Sequence, residues 1–376
     1  MPVMDERGWQ RWWRSRVLAD AMQQAEDNFL LLRALAALAV ILGHCYALKS
    51  GEFAQDCIAA LSLGKGVYMG ALAVDLFFFI SGFLVTGSWY RQRSAGRFLA
   101  ARAARILPAY WMLLLLTLLV LGPMTSQLPV AVYLAHAGTW EYLFGNLVYA
   151  PHWTLPGVFA GLPYPDVVNG SLWSLRVEVL AYLALAAAGV WGLLKHRMLY
   201  LPASLLALLG LHQLPVLGTG DYLWPLTMFA LGSLAWTQRD RLPLGTAYLL
   251  LLSLACVLSI GQPPFRGLLA VTLGYAALWA AYVPRLWSYN RLGDYSYGLY
   301  LYAFPVQQTL IWAWQLDSIW IQFLLASIIS GALAAASWHG LEKPVLDWHR
   351  RRSRAKQASP TGATQPSASN DMPTVE

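Results

Sequence analysis

Long apolar runs, rich in Leu and Ala, alternate along this chain with short polar segments. A membrane-crossing helix needs about 20 mostly apolar residues. That template predicts ten spans, near 30–48, 70–88, 106–122, 171–194, 199–216, 222–237, 243–260, 267–283, 295–315 and 319–341. The fold class expected is therefore an all-α integral membrane bundle of about ten transmembrane helices. Lys and Arg collect in cytoplasmic loops, and here they are one-sided. With ten spans, 21 of the 26 basic residues fall on one face, among them Arg91, Arg93, Arg97, Arg102, Arg105 and the run from Arg350 to Lys356. Lys49, Lys65 and Arg266 fall on the other face, while Arg33 and Arg176 lie inside spans. Both termini are expected to be cytoplasmic.

Composition agrees. Of the 376 residues 58% are apolar and 12% charged, against roughly 25% charged in a soluble domain. The 18 Trp and 19 Tyr suit rings seated at the two membrane interfaces. Cys45, Cys57 and Cys256 are scattered with no CxxC pair, so neither a disulfide framework nor a zinc site is predicted. The net charge of +7 follows the loop pattern rather than one stripe, which sets nucleic-acid binding aside.

Three regions follow. Residues 1–28, with Trp9, Trp12, Trp13 and Arg16 at helical spacing, predict a cytoplasmic interfacial helix. Residues 29–345 form the membrane domain. Residues 346–376 begin basic and turn rich in Ser, Thr, Pro, Gln and Ala, which predicts a disordered cytoplasmic tail.

Ionisable groups inside a span are costly and point to function. Arg33 and His44 are eleven residues apart in the first span, which puts them on one helical face about 16 Å apart in depth. Asp75 and Glu178 lie about five and seven residues in from the outer ends of the second and fourth spans. Counted that way they reach the depth of His44, and one outer pocket holding His44 and both carboxylates is expected. Arg33, Arg102, Arg105, Ser296 and Tyr297 are expected to form a basic, hydroxyl-rich inner pocket. Plainer roles stay open to these residues: a buried, hydrogen-bonded histidine, polar glue between helices with Arg176, and ordinary inner-face arginines.

The segments NFLLLRALAALAVILGH at 28–44, GALAVDLFFFISGFL at 70–84, RFLAARAARILPAY at 97–110, NGSLWSLRVEVLAY at 169–182, LGDYSYGLYLYAFP at 292–305 and LEKP at 341–344 occur in this order. The series resembles the acyltransferase 3 family of membrane-bound O-acyltransferases that modify envelope polysaccharides, over about residues 29–345. The spacing from Arg33 to His44 is a signature of that family. The resemblance implies an acyl-CoA donor, usually acetyl-CoA, used as a substrate rather than a tightly held cofactor. It also implies an acceptor hydroxyl on an exopolysaccharide, O-antigen or lipid-linked sugar, and a bacterial inner membrane with its lipids and envelope-polysaccharide biosynthesis proteins as partners.

The residues suit that chemistry. Guanidinium groups bind phosphates bidentately, so the inner arginines fit an acyl-CoA donor. A hydroxyl attacks a thioester slowly until a base takes its proton, and His44 is the expected base. Asp75 or Glu178 would orient its imidazole. A covalent route through an acyl-His44 stays open beside direct transfer. Ser81, Ser174 and Tyr300 are further pocket or oxyanion candidates, and Gly82 would permit close helix approach. In one place the chain departs from the family pattern: Ala303 follows Tyr300, Leu301 and Tyr302 where relatives commonly carry a His.

The outer connection at 123–170 carries many aromatic residues, and Trp140 and Trp153 are candidates to stack on a sugar ring; an aromatic belt is the alternative. No metal-ligand cluster is expected. A competing reading is a polytopic transporter or flippase of a glycan or small anionic molecule, with the intramembrane charges as its path. Its usual mark, broken helices paired between two halves, is not found. A membrane scaffold or receptor on the same framework is the third reading.

Overall fold

A computed structural model describes residues 15–358 apart from 25, 53–54, 62–66, 197–198, 201, 205, 207–221 and 284–285. It is an all-α membrane protein. Its principal helices are α1 (Phe29–Ser50), α2 (Met69–Gln92), α3 (Ala95–Leu116), α4 (Ala137–Leu147), α5 (Trp173–Val190), α6 (Leu223–Thr237), α7 (Thr246–Leu258), α8 (Phe265–Tyr282), α9 (Ser296–Trp314), α10 (Ile319–Ser337) and α11 (Lys343–Ala358). Two of these helices continue past a π-helical turn: α3 through Thr117–Leu121, and α10 through Trp338–Glu342 into α11.

Among the described residues, six helical runs are long and apolar enough to cross a membrane: α1, α2, Ala95–Thr125, Gly170–Val190, α8 and Ile319–Ala355. The expected span at 295–315 appears as the 19-residue α9, in which tyrosines and glutamines lower the apolarity. Those at 222–237 and 243–260 appear as helices of 15 and 13 residues, shorter than a straight crossing needs. The span expected at 199–216 falls mostly outside the described residues.

Local chemistry sets the ends. The Asp27 carboxylate accepts from the Phe29 amide at the start of α1, 3.0 Å away. Gly51, at φ +77°, ends α1 where a Cβ would meet the Pro163 carbonyl at 2.8 Å; only glycine takes that left-handed turn without strain. Asp56 accepts from the Met69 amide at 2.7 Å and so caps α2. At the centre, α2 crosses α6 with the backbones touching. A Cβ on Gly82 would lie 2.0 Å from the Phe229 carbonyl oxygen, and one on Gly232 would lie 2.1 Å from that of Phe79. The close approach read from Gly82 is thus met by a second glycine on the partner helix.

The expected N-terminal interfacial helix falls mostly outside the described residues. Trp9, Trp12 and Trp13 lie outside the described residues, but Arg16–Val17 (β1) is not helical: it pairs antiparallel with Pro243–Leu244 (β2), and Leu18–Ala21 then makes one helical turn. The Arg16 guanidinium donates to the Tyr282 carbonyl at 2.9 Å and the Leu18 amide to that of Leu242 at 2.9 Å. The chain here is extended because the neighbouring loops satisfy its polar groups. At the other end the basic run is helical as α11, and the expected disordered segment at 359–376 lies outside the described residues.

Candidate functional site

A cavity of about 110 Å³ opens between α1, α2, α3, α5 and α9. Arg33, Arg102, Arg105, Ser296 and Tyr297 line it, as expected of the inner pocket. Ser81, Ser174, Tyr300 and Glu178 line it too, with Tyr182. Glu178 is therefore in the inner pocket, and the expected outer trio of His44, Asp75 and Glu178 is not formed.

The reason is the start of α5. Asn169, fully buried, donates to the Leu301 carbonyl at 3.0 Å and accepts from the Ser171 amide at 3.0 Å. Gln308 donates to the carbonyls of Tyr164 and Val167, at 2.8 and 2.9 Å. These bonds draw the 150–169 segment down between the helices, so the 3₁₀ turn Gly170–Leu172 begins beside the middle of α9. Counting inward from an outer surface then misjudges depth. His44 packs edge-on against Phe304, with centroids 5.1 Å apart, and a Cβ on Gly170 would meet the same ring at 2.9 Å. Glu178, eight residues further along, lies about 12 Å deeper by helical rise.

Asp75 occupies a third level. Gly43 of α1 abuts Gly70 of α2, which sets Asp75 about 9 Å inward of His44 along these antiparallel helices. Its carboxylate is held by Arg266 at 2.7 Å, and the Arg266 guanidinium lies 4.7 Å from the Trp224 ring centroid. The Asp75 carboxylate accepts from Arg266, and that of Glu178 accepts from Tyr182. Arg176 is exposed and pairs with neither.

The inner pocket is hydroxyl-rich but not simply basic. Asp294 bonds both Arg33 and Arg105 at 2.7 Å, and Arg105 also bonds Glu342 at 2.7 Å. The Arg105 guanidinium lies over the Tyr297 and Trp338 rings, at 5.2 and 5.6 Å. Burial alone would raise the pKa of Asp294. The Arg105 and Arg33 charges, with hydrogen bonds from Ser296, outweigh it and hold the carboxyl at about 2. Arg102 differs: its Nε is buried with no hydrogen-bond partner among the described residues, and no ion pair joins it to a carboxylate there.

Hydroxyls complete the lining. Tyr182 donates to Glu178 and meets Ser81 at 3.1 Å; Ser174 meets the Tyr300 hydroxyl at 2.7 Å; Tyr297 donates to the Ile106 carbonyl at 3.0 Å. The Phe77 ring lies 5.8 Å from that of Tyr300. Tyr300 lines the cavity and Phe304 touches His44, so one turn of α9, about 6 Å, separates the two places.

The sequence reading missed Asp294 and Glu342. Both stand at the inner ends of spans, where basic residues were expected, and an acidic residue on that face was the available signal. Tyr182 was signalled by its i+4 spacing from Glu178. Ala303 is fully buried against Ala37, Ile41 and Ala334 and does not line the cavity. Trp140 and Trp153 are 42% exposed and are not among the residues lining the cavity, and the Trp140 indole donates to the Leu134 carbonyl. No group of His, Cys, Asp and Glu suited to a metal occurs among the described residues.

Comparison with known proteins decides the family. The sequence profile of the acyltransferase 3 domain matches residues 27–339. The chain belongs to this acyltransferase family. The acyltransferase is 29% identical to nodulation protein 10 of Rhizobium leguminosarum bv. viciae, over 85% of this chain and 93% of that one. It is 26% identical to an O-acetyl transferase of Shigella phage Sf6, over 84% and 94% respectively. A shorter match, 33% identical over 35% of this chain and 38% of the relative, is to exopolysaccharide production protein ExoZ of Rhizobium meliloti (strain 1021). No solved structure matches the acyltransferase. It is a multi-pass membrane protein.

Proposed function

We propose that the acyltransferase moves an acyl group, most simply acetyl, from cytoplasmic acyl-CoA to a hydroxyl of an exopolysaccharide, O-antigen or lipid-linked sugar. Ten spans, with both termini cytoplasmic in a bacterial inner membrane, would set the Arg-rich ends toward the donor. The names of the Sf6 and Rhizobium meliloti relatives support acetyl transfer and a polysaccharide setting.

The observation that carries the reading is Arg102. A half-buried arginine whose Nε is buried without a hydrogen-bond partner among the described residues, in the same cavity lining as Arg33 and Arg105, suits donor phosphates that bind bidentately. The thioester arm then enters the hydroxyl-lined cavity and reaches outward past Phe77 and Tyr300. His44, one helical turn beyond, takes the proton of the acceptor hydroxyl as its oxygen attacks the thioester carbonyl, and returns it to the CoA sulfur as the C–S bond breaks, leaving the ester and free CoA. Ser81 and Ser174 would donate to the developing oxyanion. Asp75 is engaged by Arg266 instead. Trp140 and Trp153 receive the sugar at the outer face.

One observation favours a second reading. Glu178 lies in the cavity itself, hydrogen-bonded to Tyr182 and through it to Ser81, and as base it would keep the chemistry at the inner level.

Radiolabelled acetyl transfer from acetyl-CoA to a cell-surface glycan extract, in membranes carrying wild type, His44→Ala or Glu178→Gln at matched expression, separates these readings. Loss of label with His44→Ala alone supports His44 as base. Equal label from His44→Ala and wild type sinks it, and loss with Glu178→Gln alone supports Glu178. Arg102→Gln is expected to raise the KM for acetyl-CoA, and an unchanged KM would remove the phosphate role.

A further inference from the structure

The helix α3 has two faces. One presents Arg102, Arg105 and Ile106 to the cavity. The other forms one wall of an open groove of about 1000 Å³ whose opposite wall is α11 with the end of the preceding π-turn. Two irregularities hold these walls apart. Pro108 on α3 lacks the amide that would bond the Ala104 carbonyl, and the π-turn Trp338–Glu342 offsets α11 from the axis of α10.

The groove has one charged end and one apolar end. Arg97, His349 and Arg352 stand together at the first. Arg97 and Arg352 are exposed. Arg97 spends one N–H on the Gln92 carbonyl at 2.9 Å, and Arg352 lies 5.2 Å from the Trp348 ring centroid. A guanidinium carries five N–H donors, so both keep donors turned to the groove. Among the described residues no carboxylate lines the groove. Asp347, the acidic residue of α11, is engaged instead by Lys343 and Arg350 on another face of that helix.

From Ala100 the α3 wall runs through Ala104, Leu107 and Trp111 to Leu115, about 22 Å by helical rise. That exceeds half the roughly 30 Å hydrocarbon thickness of a bilayer, so the wall is long enough for one acyl chain of a single leaflet. Trp111 and Leu115 are 48% and 45% exposed, and Trp348 on the facing helix is 58% exposed. Both walls belong to helical runs long and apolar enough to cross a membrane.

We propose that this groove is a binding site for an anionic phospholipid, its phosphate held by Arg97 and Arg352 and one acyl chain laid along α3 toward Leu115. Charge complementarity at one end and an apolar wall of leaflet length at the other select a lipid. A soluble phosphate compound would leave the wall uncovered, and a zwitterionic lipid would gain less from two guanidiniums. The site does not depend on the donor reading of the cavity.

Native mass spectrometry of the full chain in detergent, titrated with dioleoyl phosphatidylglycerol or dioleoyl phosphatidylcholine, tests it. Wild type is expected to retain one phosphatidylglycerol at least about tenfold more tightly than phosphatidylcholine. Arg97→Gln with Arg352→Gln is expected to abolish that preference, while Arg350→Gln keeps it. Ala104→Trp, which fills the groove two helical turns from Arg97, is expected to remove the tightly bound copy at unchanged size-exclusion profile. Equal retention of the two lipids by wild type, a preference that survives the double substitution, or displacement by millimolar inorganic phosphate alone would each overturn the assignment.

Discussion

The two ends of α1 carry polar side chains on one face, yet the bundle accommodates them by opposite means. At the inner end Arg33 shares Asp294 with Arg105, and Arg105 shares Glu342, so each charge is met by a charge. At the outer end His44 rests edge-on against Phe304. An ionised group in a span needs a counter-charge, whereas a neutral imidazole can lie against an aromatic ring. The inner residues are thus bound into the architecture. The outer one lies against an aromatic ring and is expected to be the easier to change without harming the fold.

Four substitutions or conditions sharpen or break this contrast. His44→Ala should lower transfer by about 10²–10⁴-fold, the span of general-base contributions, with thermal unfolding in detergent little changed; a large loss of melting temperature would put His44 with the structural group. Arg105→Ala should instead lower the melting temperature, stranding Glu342, 1% exposed, at a cost of about 3–5 kcal/mol. A wild-type melting curve for that variant would dissolve the distinction. Acid should act on the inner end. The folded pKa of Asp294, about 2, lies below its unfolded value of about 4. Its contribution, about 2 kcal/mol, is therefore complete above pH 4 and lost as pH falls toward 2. Asp294→Asn should flatten that part of a stability-against-pH curve, and a curve as steep as wild type would assign the acid loss elsewhere. Smallest of all, Tyr182→Phe should cost about 1 kcal/mol through the lost bond to Glu178, read by thermal unfolding, with His44-dependent chemistry retained; a matching drop in transfer would favour Glu178 as base.

The long helices were legible because a bilayer imposes a length and a composition on any segment that crosses it. Phe29–Ser50, Met69–Gln92 and Phe265–Tyr282 stand close to where apolar runs put them. The shared face of Arg33 and His44 was legible too, since helical periodicity needs no partner to be read. Depth was not legible in this way. Glu178 was set too far out because nothing in NGSLWSL reports that Asn169 binds the Leu301 carbonyl and pulls the helix start inward. Asp294 and Glu342 were passed over because their meaning lies in Arg33 and Arg105, up to 261 residues away in sequence. Local patterns carry secondary structure; ion pairs between distant segments belong to the assembled bundle.

The crossing of Gly82 and Gly232 has a mechanical consequence. Where two helices meet through side chains, rotamer changes let them slide or tilt by small steps. Where backbone meets backbone, as at the Phe229 and Phe79 carbonyls, there is no rotamer to adjust. The α2–α6 pair is therefore the stationary strut of the protein, and any breathing that admits a bulky substrate to the cavity falls to the opposite wall, α3 and α9, whose prolines Pro108 and Pro305 already interrupt the stiffness of their helices.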